Sequence, residues 1–196
     1  VSKRANQPSS RDAVLDAAEQ LFAARGYHAV TLKHIADQLG IKQASLYYHF
    51  PLGKEDLYVE VMLRHLEHRH VALEQLILQA QPTLEDALLA IGVWLIQKPP
   101  LNAGRMTMSD LPELSTEKAA QLEAAMYRCA FAPIQSLFIQ YQDQIKDQFQ
   151  GDLGFIGGSF LSSIESLHVF RRYSSKTDEE LVCDLIDLLL RGALSP

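Results

Sequence analysis

Cysteine is nearly absent from this chain: Cys129 and Cys183 are the only two among 196 residues. Neither falls in a spacing that holds a metal, and both are flanked by apolar residues at helical spacing. That pattern favours core thiols in a reducing cytoplasm over a redox or metal role. No apolar run is long enough to span a bilayer or to serve as a secretion signal, so no membrane partner is expected. Sustained period-two alternation, paired hairpin signals and internal repeats are missing as well, which leaves an all-α chain. There is no Gly-rich phosphate loop, nucleophile elbow, metal signature or carboxylate pair at recognisable spacing. An enzyme, a cofactor and a metal site are therefore not expected.

Charge is present but unevenly divided. Residues 1–54 hold seven basic against four acidic side chains, a net +3, whereas the rest holds eleven against twenty, a net −9. A small basic module on an acidic body fits local attraction to phosphate, with the acidic part facing away.

Punctuation along the chain predicts helices throughout. Residues 1–8 read as a flexible arm, and Ser9 with Asp12 resembles a capped start for a helix whose apolar stripe is Val14, Ala18, Leu21 and Phe22. A long helix is expected over 54–79 with Leu57, Val61, Met62, Leu66, Leu73, Leu76 and Ile77 facing inward, ending at Gln81-Pro82. Thr83 with Asp86 caps the next helix, which closes before Pro99-Pro100. After an irregular 101–112, a helix capped by Ser115 or Thr116 is expected to run toward Phe149 with a bend at Pro133. The last two helices read as 155–173 and 177–191. His65, His68 and His70 lie close together on the long helix, but without a third ligand of clear spacing they read as a solvated patch.

The most informative stretch is 31–54, TLKHIADQLGIKQASLYYHFPLGK. Thr31 can cap a helix that buries Leu32, Ile35, Ala36 and Leu39, and Gly40 supplies the positive φ of a sharp stop. A second helix then shows Gln43, Ala44, Ser45, Tyr47, Tyr48 and His49 to solvent while Leu46 and Phe50 point inward. This is a helix-turn-helix, in which the start of the second helix meets base edges in the major groove. Lys42 and Gln43 sit at that start. Gln43 can offer donor and acceptor to adenine, the Ala44 methyl can touch thymine, and Ser45 and Tyr48 follow as base contacts. Tyr47 and His49 suit phosphate, although each taken singly could also pack the small core.

LYYHF followed by a Pro-containing turn and Lys54-Glu55, with Arg25-Gly26-Tyr27, Val30-Thr31, Ile35-Ala36 and Leu39-Gly40-Ile41 before it, resembles the DNA-binding domain of TetR-like transcriptional regulators. The resemblance spans roughly 9–63. One departure stands: Pro51, Leu52 and Gly53 separate Phe50 from Lys54, where the family usually has two residues. The resemblance implies a three-helix DNA-binding domain over 1–54 and a helical effector-binding and dimerisation domain over 55–196, about nine helices in all. It adds Thr31, Lys33 and Lys54 to the phosphate contacts.

One recognition helix covers only a few base pairs, so a homodimer reading a palindromic operator in double-stranded DNA is expected. The family's four-helix interface falls on the last two helices, with Ile156, Gly157, Phe160, Leu161, Ile164, Leu167, Leu181, Leu185, Leu188 and Leu189 at the seam; an intramolecular core is the other reading of the same residues. By the same analogy the middle helices enclose a pocket for a small-molecule effector. Trp94, Met106, Met108, Tyr127, Phe131, Phe138, Tyr141 and Phe170 are its apolar candidates, with Arg105, Arg128 and His168 as polar ones, although such spacing also makes plain core. The expected function is a dimeric cytoplasmic regulator, a repressor released by its effector. The alternative is a helical protein-interaction adaptor that has lost DNA binding.

Overall fold

The computed structural model describes residues 11–79, 82–146 and 151–193. They form an all-α fold with no β-strand among the described residues, in nine helical segments when 103–113 and 116–140 are each counted once and the 3₁₀ turns at 142–144 and 171–173 are left out. The arm 1–8, the Ser9 cap, Gln81 and Phe149 lie outside the described residues.

The chain divides into two compact units that do not follow the expected boundary between 54 and 55. The first takes in the described part of Val1–His65 together with Ala103–Ala124, and the second holds Leu66–Asn102 and the described part of Ala125–Pro196. Residues 103–124 thus pack with the N-terminal helices, through contacts that no local pattern announces.

In the first unit α1 (Arg11–Ala29) is interrupted at Gly26, which takes φ 76° and ψ 173°. α2 (Leu32–Leu39) opens on the expected cap: Thr31 Oγ1 accepts from the His34 amide at 3.2 Å, and His34 Nδ1 accepts back from the Thr31 amide at 3.3 Å. Histidine here takes the place usually filled by Glu or Gln in this reciprocal arrangement. Gly40 ends α2 at φ 66°, its N–H donating to Ala36 and Asp37 carbonyls. α3 (Gln43–His49) follows. Then Gly53 donates back to the Phe50 carbonyl at 3.0 Å, closing a tight turn at φ 92°, and α4 (Lys54–Leu78) starts at once. The additional residue before Lys54 is absorbed in that turn. Val14, Phe22, Ile35, Leu46, Phe50, Leu57 and Val61 make the core of this unit. Leu39, expected inside, is only partly buried. At about 1.5–3 kcal/mol per fully buried apolar side chain, this small core is what holds α3 in register. The unit is completed by α6 (Ala103–Arg105), a π turn (Met106–Asp110), a 3₁₀ turn (Leu111–Glu113) and most of α7 (Thr116–Met126).

The second unit is built on α5 (Leu84–Ile96), the later part of α4, α8 (Ala132–Gln140), α9 (Leu153–Phe170) and α10 (Asp178–Ala193). Thr83 caps α5 as expected, accepting from the Asp86 amide at 3.1 Å, and Thr177 caps α10 through the Glu180 amide at 3.2 Å. Leu73, Leu88, Ile91, Leu95, Ile134, Phe138, Phe160, Ile164, Val182 and Ile186 fill its core. At Gly92 α5 leaves no space beside its neighbours: a Cβ would stand 2.5 Å from Val182 and 3.1 Å from Ile164. Pro133 sits in the first turn of α8 just after a π turn (Tyr127–Phe131), which lodges the carbonyl its ring would crowd. The rod from Thr116 stops at Gln140, short of Phe149, because Tyr141 leaves helical geometry.

Two further expectations are corrected here. Leu153–Tyr173 is long and apolar enough to cross a bilayer by length and composition, yet Ile156, Phe160 and Ile164 of that stretch are core residues of this unit. Cys129 is buried as expected, but Cys183 is exposed, because Val182, Ile186 and Leu190 take the inner stripe of α10 and leave residue 183 beside Asp184.

Candidate nucleic-acid interface

α3 is fixed from behind and bare in front. Leu46 and Phe50 are buried, and the Arg11 guanidinium lies 5.1 Å over the Phe50 ring while also pairing with Glu60. On the opposite face Lys42, Gln43 and Ala44 are exposed, Tyr48 is 84% exposed, Tyr47 is exposed, and Ser45 and His49 are half-buried. The Tyr48 and His49 rings meet edge to face at 5.1 Å. This display of donors, acceptors and a methyl group on a rod of groove-fitting width is what base readout requires.

The phosphate candidates flank it. Thr31 and Lys33 are exposed at the start of α2. Lys54 is not extended into solvent: its ammonium lies 3.9 Å over the Tyr27 ring, and burial pulls its pKa down while Glu113 and Asp110 oppose that shift. The cation is held in a defined place at the start of α4 rather than at the end of a free tether.

The head is braced by polar contacts that sequence reasoning missed. Arg64 reaches Asp16 at 2.7 Å and Glu19 at 2.8 Å, and His65 meets Glu19 at 3.0 Å. The His65 hydrogen bond, with help from Arg64, holds the Glu19 carboxyl down to about 2. Ser115 donates its amide to Glu55, and Lys118 pairs with Asp56. The histidine patch is partly engaged in this way: His65 with Glu19, and His70 with Glu74 at 3.3 Å, leaving His68 exposed. No cluster suited to a metal is found among the described residues.

The eleven effector candidates are spread over both units. Arg105, Met106 and Met108 belong to the first unit: Arg105 bonds the carbonyls of Phe22 and Ala23, Met106 is buried and Met108 is 79% exposed. In the second unit Phe138 is core, Trp94, Phe131 and Tyr141 pack against that core, and His168 is half-buried with burial lowering its pKa. Tyr127 and Phe170 are exposed, the Tyr127 hydroxyl donating to Gln135 at 2.9 Å. Of the set, only Arg128 lines a groove of about 410 Å³ between α4 and the start of α8, whose other walls include His70, Glu74, Ile77, Pro133 and Ser136. His70 and Glu74, one turn apart on α4, are the polar pair in the sequence that could have signalled it.

The expected dimer residues are likewise re-sorted. Ile156, Gly157, Phe160, Leu161, Ile164 and Leu167 are buried within their own unit and have no surface to offer a partner. The outer face of α9 carries Phe155, Ser162, Ser166 and Val169 instead, and on α10 Leu188 is 72% exposed with Leu181, Leu185 and Leu189 half-buried.

The fold and this face define a helix-turn-helix domain. The residue pattern of the family described as "Bacterial regulatory proteins, tetR family" matches residues 14–61. The HTH-type transcriptional regulator LmrA of Bacillus subtilis (strain 168) is 45% identical over 53 residues, 27% of this chain and 28% of that protein, so the chain spans little more than a quarter of this relative's length in the match. A TetR-family transcriptional regulator from Bordetella parapertussis 12822 superposes with a TM-score of 0.71 at 19% identity, covering 95% of this chain and 98% of the other. A regulator from Saccharomonospora viridis in complex with choline gives 0.69 at 20% identity, over 97% and 100%. Residues 14–61 are therefore a tetR-family DNA-binding domain, and the chain as a whole has the TetR-like fold.

Proposed function

We propose that the protein is a dimeric, sequence-specific transcriptional regulator of the cytoplasm, a repressor that a small molecule releases from a palindromic operator. The observation that carries this reading is the bare face of α3. Lys42, Gln43, Ala44, Ser45 and Tyr48 read bases, and Thr31, Lys33, Tyr47, His49 and Lys54 hold the flanking phosphates. Bound duplexes selected from a random oligonucleotide pool are expected to share a two-fold repeat with half-sites about one helical turn apart. A selected pool without that symmetry overturns the reading.

Dimerisation is assigned to the outward residues of the last two helices, Phe155, Val169, Leu181, Leu185, Leu188 and Leu189, with small serines at 162 and 166 between the two on α9. Light scattering at micromolar concentration is expected to give twice the chain mass. For the effector, the groove beside Arg128 is favoured over the scattered aromatic set, because it combines room with apolar walls and convergent polar groups. The choline found with the Saccharomonospora viridis regulator is in keeping with a pocket of that size. An effector acts on DNA binding only through its different affinity for the two states of the regulator.

A further inference from the structure

Two charged side chains are buried among the described residues, Arg69 and Asp110. Arg69 is accounted for by the second unit, where it faces Glu165 and the Pro99 carbonyl. Asp110 is different. It is 3% exposed in the first unit, and its partners come from 52 and 83 residues away in sequence.

The partners reveal an exchange. In an uninterrupted α1 the Tyr27 N–H would donate to the Ala23 carbonyl, one turn back. Gly26 breaks the helix there. The freed Tyr27 N–H donates to Asp110 Oδ1 at 3.0 Å, and the freed Ala23 carbonyl accepts from Arg105 Nη1 at 3.1 Å. Arg105 Nη2 also serves the Phe22 carbonyl at 3.2 Å, and its Nε lies 3.6 Å from Asp110 Oδ2, which accepts from the Tyr58 hydroxyl at 3.0 Å. Arg105 and Asp110 thus take the two halves of one missing backbone bond. Glycine is required at the break twice over: φ is positive, and a Cβ would stand 3.3 Å from Asp110 Oδ1.

We infer that this exchange is a two-state switch, with Arg105 and Asp110 as positioning residues for operator binding. When 103–113 is engaged, α1 is broken at Gly26 and the turn into α2 is set. When it withdraws, the Tyr27 N–H and the Ala23 carbonyl can recombine, so these two backbone groups keep a partner in either state. The rings of Phe22, Tyr27 and Tyr58 lie around the break, with Tyr27 and Tyr58 at 4.9 Å, and Tyr27 also carries the Lys54 ammonium. Engagement therefore sets the entry to α2 and the start of α4 together, the two supports on either side of α3. The link to regulation rests on the function proposed above; the bond exchange itself does not.

The test uses the full-length protein and the variants Asp110→Ala, Arg105→Ala, Gly26→Ala and Tyr58→Phe. Operator affinity on a duplex selected with the wild type is expected to fall at least tenfold in the first three and less in Tyr58→Phe. The Asp110→Ala, Gly26→Ala double variant should be no weaker than the worse single. Helix content should be retained, and amide exchange by NMR should show the Tyr27 N–H still protected in Asp110→Ala, because its bond returns to Ala23. Unchanged affinity, strictly additive losses, or a Tyr27 amide that exchanges freely in a folded Asp110→Ala each overturn the switch. If Asp110→Ala fails to fold, Gly26→Ala, which favours the unbroken helix, decides by affinity and Tyr27 protection. If the wild type selects no duplex, the proposed function falls while the amide measurement still judges the exchange.

Discussion

The ammonium of Lys54 lies 3.9 Å above the ring of Tyr27, so the first residue of α4 is tied to the turn that leaves α1. The tight turn closed by Gly53 delivers Lys54 to that place despite the longer spacer. A cation held this way gives phosphate attraction without base preference. Lys54→Ala is expected to weaken binding to all duplexes alike and to reduce the slope of log affinity against log salt by about 1, read by fluorescence anisotropy across a salt series.

Gln43 stands exposed at the start of α3, with Leu46 anchoring the turn behind it. Gln43→Ala should leave non-specific affinity intact while relaxing preference at one or two base pairs, by about 1–3 kcal/mol per pair. Competition with single-position operator variants measures this. A uniform loss across all variants would reassign Gln43 to the backbone contacts.

Acid should loosen the head through Glu19. Its carboxyl titrates near 2 when folded, against about 4.3 in an unfolded chain, so the folded state binds the proton less well. The stabilisation is complete above the unfolded value and is lost as pH falls through the folded one. Wild type should melt above Glu19→Gln at pH 5, and the gap should close as pH approaches 2. A gap that is constant with pH would show that the His65 and Arg64 contacts do not favour the ionised form.

Gly92 leaves no room for a methyl group, given the 2.5 Å approach to Val182. Gly92→Ala is expected to overpack the second unit and destabilise it by about 1–3 kcal/mol, more than any gain in helix propensity, as measured by denaturant titration.

Leu188 is exposed on α10 and touches little of its own unit's core. Leu188→Glu should shift the mass in light scattering toward the monomer and lower operator affinity, with little change in far-ultraviolet circular dichroism. Phe160→Ala, by contrast, should cost about 3–5 kcal/mol of stability, because Phe160 is core rather than interface.

Local chemistry was legible and long-range chemistry was not. Thr31, Thr83 and Gly40 mark helix ends because each acts on backbone groups within a few residues, and all three do so in the structure. The two faces of α3 followed from the spacing of Leu46 and Phe50. Periodicity failed on α9, which is apolar over most of its circumference: Ile156, Phe160 and Ile164 point inward while Phe155 and Val169 point out, and spacing alone does not say which face is which. Arg105 was taken for a pocket residue because nothing near it in sequence reveals the Phe22 and Ala23 carbonyls that it serves. The π turns at Met106–Asp110 and Tyr127–Phe131 also left no mark, since each adds one residue to an otherwise ordinary helical run.

The DNA-reading unit is assembled from two separated stretches of chain, with Arg105 and Asp110 supplied by the second. Grafting a foreign 1–54 onto this scaffold would therefore set strange side chains against a carboxylate and a guanidinium shaped for Gly26 and Tyr27. A working chimera must carry 103–124 along with its own head, and exchange of operator preference by swapping one contiguous block should succeed only between proteins that agree at both places.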